Sequence, residues 1–134
     1  MRSILNFLIE IGKLKKMPRT GFVWLGIKNT ETIAQHAFRV AIMNWILASK
    51  VRPKLNLKEI IKISLVHDLC ELYAGDATPY EGILPKDKKE WPKLFDKWPR
   101  SSKLKKEKNF LKKHKKEKAG LLKLISKLPG AMKK

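Results

Sequence analysis

The sequence predicts an all-α protein, and two observations lead to this fold class. Apolar residues recur at spacings of three and four along four segments, as they do on one face of a helix. No segment shows the strict alternation of a half-buried strand, and no internal repeat is present. The chain has 134 residues, of which 43% are apolar, and this suits one small helical domain with a compact core.

The first two helices are predicted on either side of a proline- and glycine-containing segment. One helix covers residues 3–17, and Pro18 ends it. Residues 18–30 have no sustained period and contain two glycines, so a loop is predicted there. The second helix is predicted over residues 31–49, with Thr30 as its N-cap.

A third helix, predicted from about Leu57 to Tyr73, lies at the centre of the chain. Asn56 precedes it and Glu59 follows three residues later, which is typical of a capping box. Gly75 suits the left-handed position just past the last turn.

The C-terminal third is predicted to contain a linker and one more helix. Residues 86–102 contain prolines and predict a linker with a short helical turn. Residues 103–128 predict a Lys-rich helix that is weakened at Gly120 and exposes His114 to solvent.

The net charge of +19 is concentrated in the same part of the chain. Residues 1–85 carry a net charge of +5, and residues 86–134 carry +14. Lys-rich runs with few aromatic residues are typical of a solvated helix face. Non-specific binding of polyanions such as nucleic acid is the alternative interpretation.

Five ionisable side chains are expected to lie near one another around the central helix. His67 and Asp68 are neighbours on that helix, and Glu71 lies one turn beyond His67 on the same side. Asp76 follows the helix, and His36 lies on the inward face of the second helix with no hydrogen-bond partner obvious nearby in sequence. Because charged groups are rarely buried unless they are paired or bound to a metal, a metal site is one interpretation. A pair on the helix surface or a hydrogen-bonded core histidine is the other.

The segment after Pro18 could contribute a second kind of contact. Arg19 could offer a fork of donors for a phosphate, and Phe22 and Trp24 could offer a stacking surface. The alternative is that the aromatic rings cover the helix ends and that Arg19 is a solvated charge.

The apolar runs, the N-terminal segment and the cysteine content predict a soluble, cytoplasmic protein. No apolar run approaches the length of a membrane span, and Glu10 comes too early for a secretory signal. The single cysteine, Cys70, cannot form an internal disulfide, which is compatible with a reducing compartment.

Three motifs carry a resemblance to a known family. They are Pro18 to Gly21, Glu31 to His36, and His67 to Asp76 followed by Thr78-Pro79. In this order and spacing, over about residues 3–90, the chain resembles the HD-domain phosphohydrolases, specifically the 5′-deoxynucleotidases. The resemblance implies an HD-domain-like helical bundle and a metal-dependent enzyme that removes the 5′-phosphate from (deoxy)nucleoside monophosphates. It also implies a homodimer, whereas the lack of a long apolar run argues against a membrane partner.

The resemblance assigns roles to seven residues. It implies metal ligands at His36, His67 and Asp68, catalytic carboxylates at Glu71 and Asp76, and substrate contacts at Arg19 and Phe22. In this scheme Glu71 orients or deprotonates the attacking water, Asp76 protonates the departing 5′ oxygen, and Arg19 holds the phosphate. The metal is a divalent ion, and the ligand types do not distinguish among Mn, Co, Fe, Mg and Zn.

The resemblance also implies a division of the chain. Residues 1–85 would form the HD-domain core with the metal site, residues 86–102 the linker, and residues 103–134 a helix leading to the family's last part. The family completes its metal site with an aspartate beyond the Leu-Pro pair that is here Leu128-Pro129, and no aspartate follows Asp96, so a truncated member is expected. The other possibility is that Asp76 or water molecules take the place of that ligand. The alternatives are an inactive HD domain that acts as a binding or dimerisation module, and a basic nucleic-acid-binding protein.

Overall fold

Helices make up the regular structure of the part of the chain that the computed structural model describes, which is residues 2–51, 54–78, 85, 87–91, 93 and 103–130. No strand occurs in these residues, and the all-α prediction is confirmed. The α-helices are α1 (Arg2–Ile11), α2 (Thr20–Trp24), α3 (Ile33–Lys50), α4 (Leu57–Val66), α5 (Glu71–Ala74) and α6 (Lys103–Ile125). Two 3-10 helices, Gly12–Lys16 and Lys88–Glu90, accompany them.

The N-terminal helix forms where the sequence predicts it. α1 tightens into the 3-10 helix Gly12–Lys16, which ends before Pro18. Leu14 in this 3-10 helix is buried, and the turn packs against α3. The N-terminal helix is thereby fixed to the helix that carries His36.

The predicted loop at residues 18–30 is wrong in part, because α2 forms inside it. The carbonyl oxygen of Arg19 accepts hydrogen bonds from the backbone N–H groups of Phe22 and Val23 at 3.1 and 3.2 Å. The backbone N–H of Thr20 donates to the Asp76 carboxylate at 2.8 Å. This partner is 56 residues away in sequence, so local periodicity does not indicate the helix.

The start of α3 corrects the predicted N-cap. Thr32, and not Thr30, caps the helix, in a capping box with Gln35. Thr32 also forms an isolated antiparallel bridge with Pro18. The backbone N–H of Arg19 donates to the carbonyl oxygen of Glu31 at 3.0 Å, so the segment that carries Arg19 lies against the start of α3.

The central helix begins as predicted but is not continuous. Asn56 caps α4 by accepting from the backbone N–H of Glu59, which confirms the predicted start. After Val66 the chain passes through turns at residues 67–70 before α5 begins, so the prediction of one helix to Tyr73 is wrong. His67 Nδ1 lies 2.8 Å from the carbonyl oxygen of Ser64, an acceptor that a continuous helix would use for a backbone N–H.

Gly75 and Gly120 both meet a backbone requirement. Gly75 follows α5 with a positive φ of 77°, but its ψ of 156° lies outside the left-handed helical region that the sequence predicted. Gly120 lies where α6 packs against α5, and a Cβ atom there would stand 2.7 Å from the carbonyl oxygen of Cys70. The glycine predicted to weaken α6 therefore allows α6 to pack closely against Cys70 and α5.

The remaining predictions for the C-terminal third have mixed outcomes. α6 matches the predicted Lys-rich helix except for its last turn, and His114 is exposed as predicted. Residues 86, 92 and 94–102 of the predicted linker lie outside the described residues. Within the described part, the Trp91 indole N–H donates to the carbonyl oxygen of Pro85 at 2.9 Å, and its ring meets Trp24 edge-on. The boundaries proposed for the linker stay a prediction. None of the described helices is long and apolar enough to cross a bilayer.

Replacing Gly120 by alanine should destabilise the fold, although alanine is the better helix former. The Cβ atom would meet backbone atoms of residues 70 and 74, which cannot rotate away. Overpacking of about 1–3 kcal/mol is therefore expected to exceed the gain of roughly 1 kcal/mol in helix propensity. Urea unfolding of Gly120→Ala measures the difference. Gly12→Ala is the matched control, because nothing lies within 4 Å of its added Cβ.

Candidate metal centre

Two histidines and an aspartate meet at the break in the central helix. His36 comes from the first turn of α3, and His67 and Asp68 come from the turn that follows α4. His67 Nε2 lies 3.1 Å from Asp68 Oδ2, and His36 Nε2 lies 3.7 Å from the same oxygen. One potential ligand atom from each residue lies within 4.8 Å of the other two. The convergence predicted for these residues is therefore present in the structure.

The other nitrogen of each imidazole ring is held by a hydrogen-bond partner. His67 Nδ1 faces the carbonyl oxygen of Ser64 at 2.8 Å, which requires the proton on Nδ1. His36 Nδ1 lies 3.2 Å from the Glu31 carboxylate, so the expectation that His36 has no nearby partner is wrong. Arg39 donates to the same Glu31 oxygen at 2.6 Å. Both rings thereby present Nε2 to the cluster, the arrangement in which histidine commonly binds a metal ion.

The donor set fits a divalent metal ion. Two neutral imidazole nitrogens and one carboxylate oxygen form a mixed ligand set that suits Mn, Fe, Co or Zn better than Ca. His36, His67 and Asp68 could therefore hold a metal. Which ion binds is not distinguished by these ligands.

Arg19 joins the cluster to two further carboxylates. Its Nη1 atom lies 3.0 Å from Asp68 Oδ2 and 3.4 Å from Glu71 Oε2, and its Nε atom lies 3.5 Å from Asp76 Oδ2. Only 25% of its side chain is exposed, so the alternative of a solvated charge does not describe it. Arg19 thus neutralises part of the negative charge that Asp68, Glu71 and Asp76 bring together.

Glu71 is the most deeply buried of the charged groups at this site. The residue is 3% exposed. Burial, followed by the nearby charges of Asp68 and Asp76, raises the pKa of its carboxyl group to about 8, although Arg19 and Lys113 act in the opposite direction. In the absence of a bound cation Glu71 therefore holds a proton at neutral pH. Such a perturbed carboxyl group in a cleft is typical of a functional site.

A cavity of about 580 Å³ opens over these residues. Its walls contain all seven residues to which the resemblance assigned a role. They are Arg19, Phe22, His36, His67, Asp68, Glu71 and Asp76. Trp24 also lines the cavity, as does Lys113 of α6. Sequence reasoning missed Lys113, which is one of many lysines in a Lys-rich helix and carries no local signal that distinguishes it.

Known proteins resemble this chain in sequence and in fold. Residues 11–134 match the protein family described as HD domain. The 5′-deoxynucleotidase HDDC2 of Homo sapiens is 36% identical over 88 residues, which cover 66% of this chain and 41% of that protein. The 5′-deoxynucleotidase hdd1 of Schizosaccharomyces pombe is 37% identical over 86 residues, covering 64% and 42%.

Two solved structures share the fold. The PH0347 protein from Pyrococcus horikoshii OT3 superposes with a TM-score of 0.55 at 28% identity, covering 70% of this chain and 56% of that chain. A conserved hypothetical protein from Pyrococcus furiosus gives a TM-score of 0.54 at 28% identity, covering 87% and 74%.

The fold is helical, and it brings a His-Asp pair and a distant histidine into one cleft where they could bind a metal ion. The chain belongs to the HD domain family. The resemblance to HD-domain 5′-deoxynucleotidases that the motifs indicated is confirmed by these matches. The chain spans about two fifths of the length of the curated relatives it matches.

Substituting His67→Ala should abolish stoichiometric binding of Mn²⁺ or Co²⁺, because it removes one of three clustered ligands. The substitution Glu31→Gln should weaken binding by roughly 10–100-fold, because it perturbs the group that orients His36. Equilibrium dialysis followed by metal analysis measures both. His114→Ala is the control, since this exposed histidine lies outside the cluster. Full metal binding by His67→Ala would refute the site.

The raised pKa of Glu71 predicts how the stability of the metal-free protein depends on pH. A carboxyl group with a pKa of about 8 when folded and 4.5 when unfolded binds its proton more tightly in the folded state. The contribution of this proton to the free energy of unfolding is fully present below pH 4.5 and is lost as pH rises through 8. Glu71→Gln mimics the protonated form, so this variant should match the wild-type melting temperature at acidic pH and exceed it at alkaline pH.

Thermal melts at pH 5 and pH 9 with a chelator present test this expectation. Glu107→Gln makes the same chemical change at an exposed position of α6. The control should shift the melting temperature equally at both pH values. A Glu71→Gln variant that is less stable than wild type at alkaline pH would contradict the assigned pKa shift.

Proposed function

We propose that the protein is a metal-dependent phosphohydrolase that removes the 5′-phosphate from (deoxy)nucleoside monophosphates. The observation that supports this most is the single cavity in which the His-His-Asp cluster, Arg19, two further carboxylates and aromatic side chains share the walls. The names of the relatives, 5′-deoxynucleotidase HDDC2 and 5′-deoxynucleotidase hdd1, support the same reaction. A nucleoside monophosphate is of a size that such a cavity accommodates.

In the proposed reaction His36, His67 and Asp68 bind the divalent ion. A bound ion of this kind supplies Lewis acidity and an acidified water near neutral pH. Arg19 binds the phosphate and balances the charge that develops on its oxygens during phosphoryl transfer. The position of Arg19 supports this role, because its guanidinium group lies between Asp68 of the ligand cluster and Asp76.

Proton transfer is assigned to the two remaining carboxyl groups. Glu71 orients and deprotonates the attacking water, and it must be ionised to act as the base. Nearby positive charge from a metal ion, Arg19 and Lys113 favours that ionised form. Asp76 protonates the departing 5′ oxygen, a step for which its carboxylate must first take up a proton from solvent in the substrate complex. Its carboxylate is fixed by the backbone N–H of Thr20 and by Arg19, which supports a defined orientation towards the cavity.

The aromatic wall is proposed to bind the base. Phe22 and Trp24 both line the cavity on α2. A flat apolar ring stacks on any base, so this wall favours nucleotides over smaller phosphate esters without selecting one base.

The protein is further proposed to form a homodimer and to lie in the cytoplasm. A homodimer is favoured by an apolar stripe on α3, where Phe38, Ile42, Trp45 and Ile46 are exposed at helical spacing. Sedimentation of the metal-loaded chain that gives only monomer at micromolar concentration would refute the dimer.

A cytoplasmic location is favoured by the nucleotide substrate and by the free thiol of Cys70. Fractionation of cells that express the chain tests the location, and recovery outside the cytoplasm would contradict it.

The proposed activity predicts phosphate release from 5′-monophosphates that depends on added Mn²⁺ or Co²⁺ and stops with a chelator. Nucleoside 3′-monophosphates are the matched control substrates, and they should release little phosphate. Arg19→Lys should lower kcat/KM by about 100-fold, because lysine cannot reproduce the fork of donors. Arg2→Lys, an exposed change on α1, should have no effect.

The outcome also decides between the enzyme and the binding-module alternative. Metal-dependent release means that the groups in this cavity are sufficient for turnover. Stoichiometric metal binding without release from any 5′-monophosphate would contradict the enzymatic proposal and would favour a module that binds without turnover.

A further inference from the structure

The cavity receives a positive charge from α6 to which the proposed mechanism assigns no contact with the substrate. Among the described residues that line the cavity, Arg19 and Lys113 carry the permanent positive charges. Lys113 also differs from the other lysines of α6 whose side chains the structure describes, because these are exposed and Lys113 is partly buried. Its side chain is 42% exposed, so the ammonium can reach both the cavity and solvent.

The contacts of Lys113 hold its ammonium group beside Asp76 and Ala77. Lys113 Nζ donates to the carbonyl oxygen of Ala77 at 3.3 Å, and Ala77 directly follows Asp76. Nζ also lies 3.5 Å from Glu117 Oε1, one turn further along α6. A lysine ammonium has three donors, so two acceptors leave one N–H for a ligand.

The charge balance of the cavity favours an anion as that ligand. A phosphate monoester carries between one and two negative charges near neutral pH. Arg19 is already shared among Asp68, Glu71 and Asp76, so it alone offsets little of the added charge. The positive charge of Lys113 also acts on this group of carboxylates, since it lowers the pKa of Glu71.

We propose that Lys113 is a second phosphate-binding residue, and that its ammonium group contacts a non-bridging phosphate oxygen of the nucleotide in the cavity. The inference rests on the proposed function and adds α6 to the parts of the chain that recognise the substrate. A lysine on this helix supplies a charge-assisted hydrogen bond that the HD motifs themselves do not contain.

The competing role for Lys113 is structural, through the carbonyl oxygen of Ala77. Binding of a nucleotide and of the matching nucleoside separates the two roles, because only the nucleotide has a phosphate. The probes are the four common 2′-deoxynucleoside 5′-monophosphates and their nucleosides, titrated into the Mn²⁺-loaded full chain. Lys113→Gln removes the charge and retains an N–H donor for Ala77, and Lys113→Arg retains the charge. Lys112→Gln removes a neighbouring exposed charge on the same helix.

Lys113→Gln should raise the Kd of the nucleotide by about 10–100-fold, the size expected for one lost charge-assisted hydrogen bond. It should leave the Kd of the nucleoside and the metal content unchanged. Lys113→Arg should recover most of the nucleotide affinity, and Lys112→Gln should bind as wild type does. Equal losses for nucleotide and nucleoside would overturn the inference in favour of the structural role.

The test also separates this inference from the proposed function. Wild type and Lys113→Gln that bind and hydrolyse the nucleotide equally well would overturn the role of Lys113 and leave the phosphohydrolase intact. A metal-loaded wild type that neither binds nor hydrolyses any of the four nucleotides would overturn both.

Discussion

The contact between Arg19 and three carboxylates is the interaction on which the site depends. Asp68, Glu71 and Asp76 are brought close together, and buried carboxylates without a compensating charge are strongly unfavourable. Arg19 supplies that charge from a segment far away in sequence, and the adjacent Thr20 N–H gives Asp76 a further donor. The start of α2 and the turn after α4 are therefore held together by the groups proposed to react with the substrate. Loss of this contact would disturb the fold and the site at once.

The break in the central helix brings the side chains of His67 and Asp68 together. In a continuous helix His67 and Asp68 would point about 100° apart. In the turn, His67 Nε2 and Asp68 Oδ2 lie 3.1 Å apart, and both face His36. The turn also leaves the carbonyl oxygen of Cys70 at the surface against which Gly120 packs. Lys113 precedes Gly120 by seven residues, about two helical turns, so the close contact at Gly120 sets the position at which Lys113 meets the cavity.

The sequence predicts those parts of the structure that local chemistry determines. The cap at Asn56 and the helical segments follow from side chains within a few residues of one another, and the structure agrees with them. The convergence of the cluster is predicted from the positions of its residues on the helices, and the family resemblance adds their roles. What the sequence could not predict depends on distant partners. The helix α2 begins where Asp76 accepts a hydrogen bond, and α3 is capped by Thr32 where the chain bridges to Pro18. Lys113 is distinguished from its neighbouring lysines only by tertiary packing.

The charges of the cavity are compatible with the proposed binding of both a cation and an anionic ester at one site. Before a metal ion binds, the raised pKa of Glu71 leaves this group protonated at neutral pH, which limits repulsion among the three carboxyl groups. Asp68 and Asp76 are then balanced by Arg19 and Lys113, and the cavity is close to neutral. A divalent ion at the His-His-Asp cluster adds positive charge and favours the ionised form of Glu71. After the ion has bound and Glu71 has ionised, the cavity would carry a net positive charge, which favours binding of an anionic phosphate group. Under the proposed function, this charge balance would place binding of the cation before binding of the nucleotide.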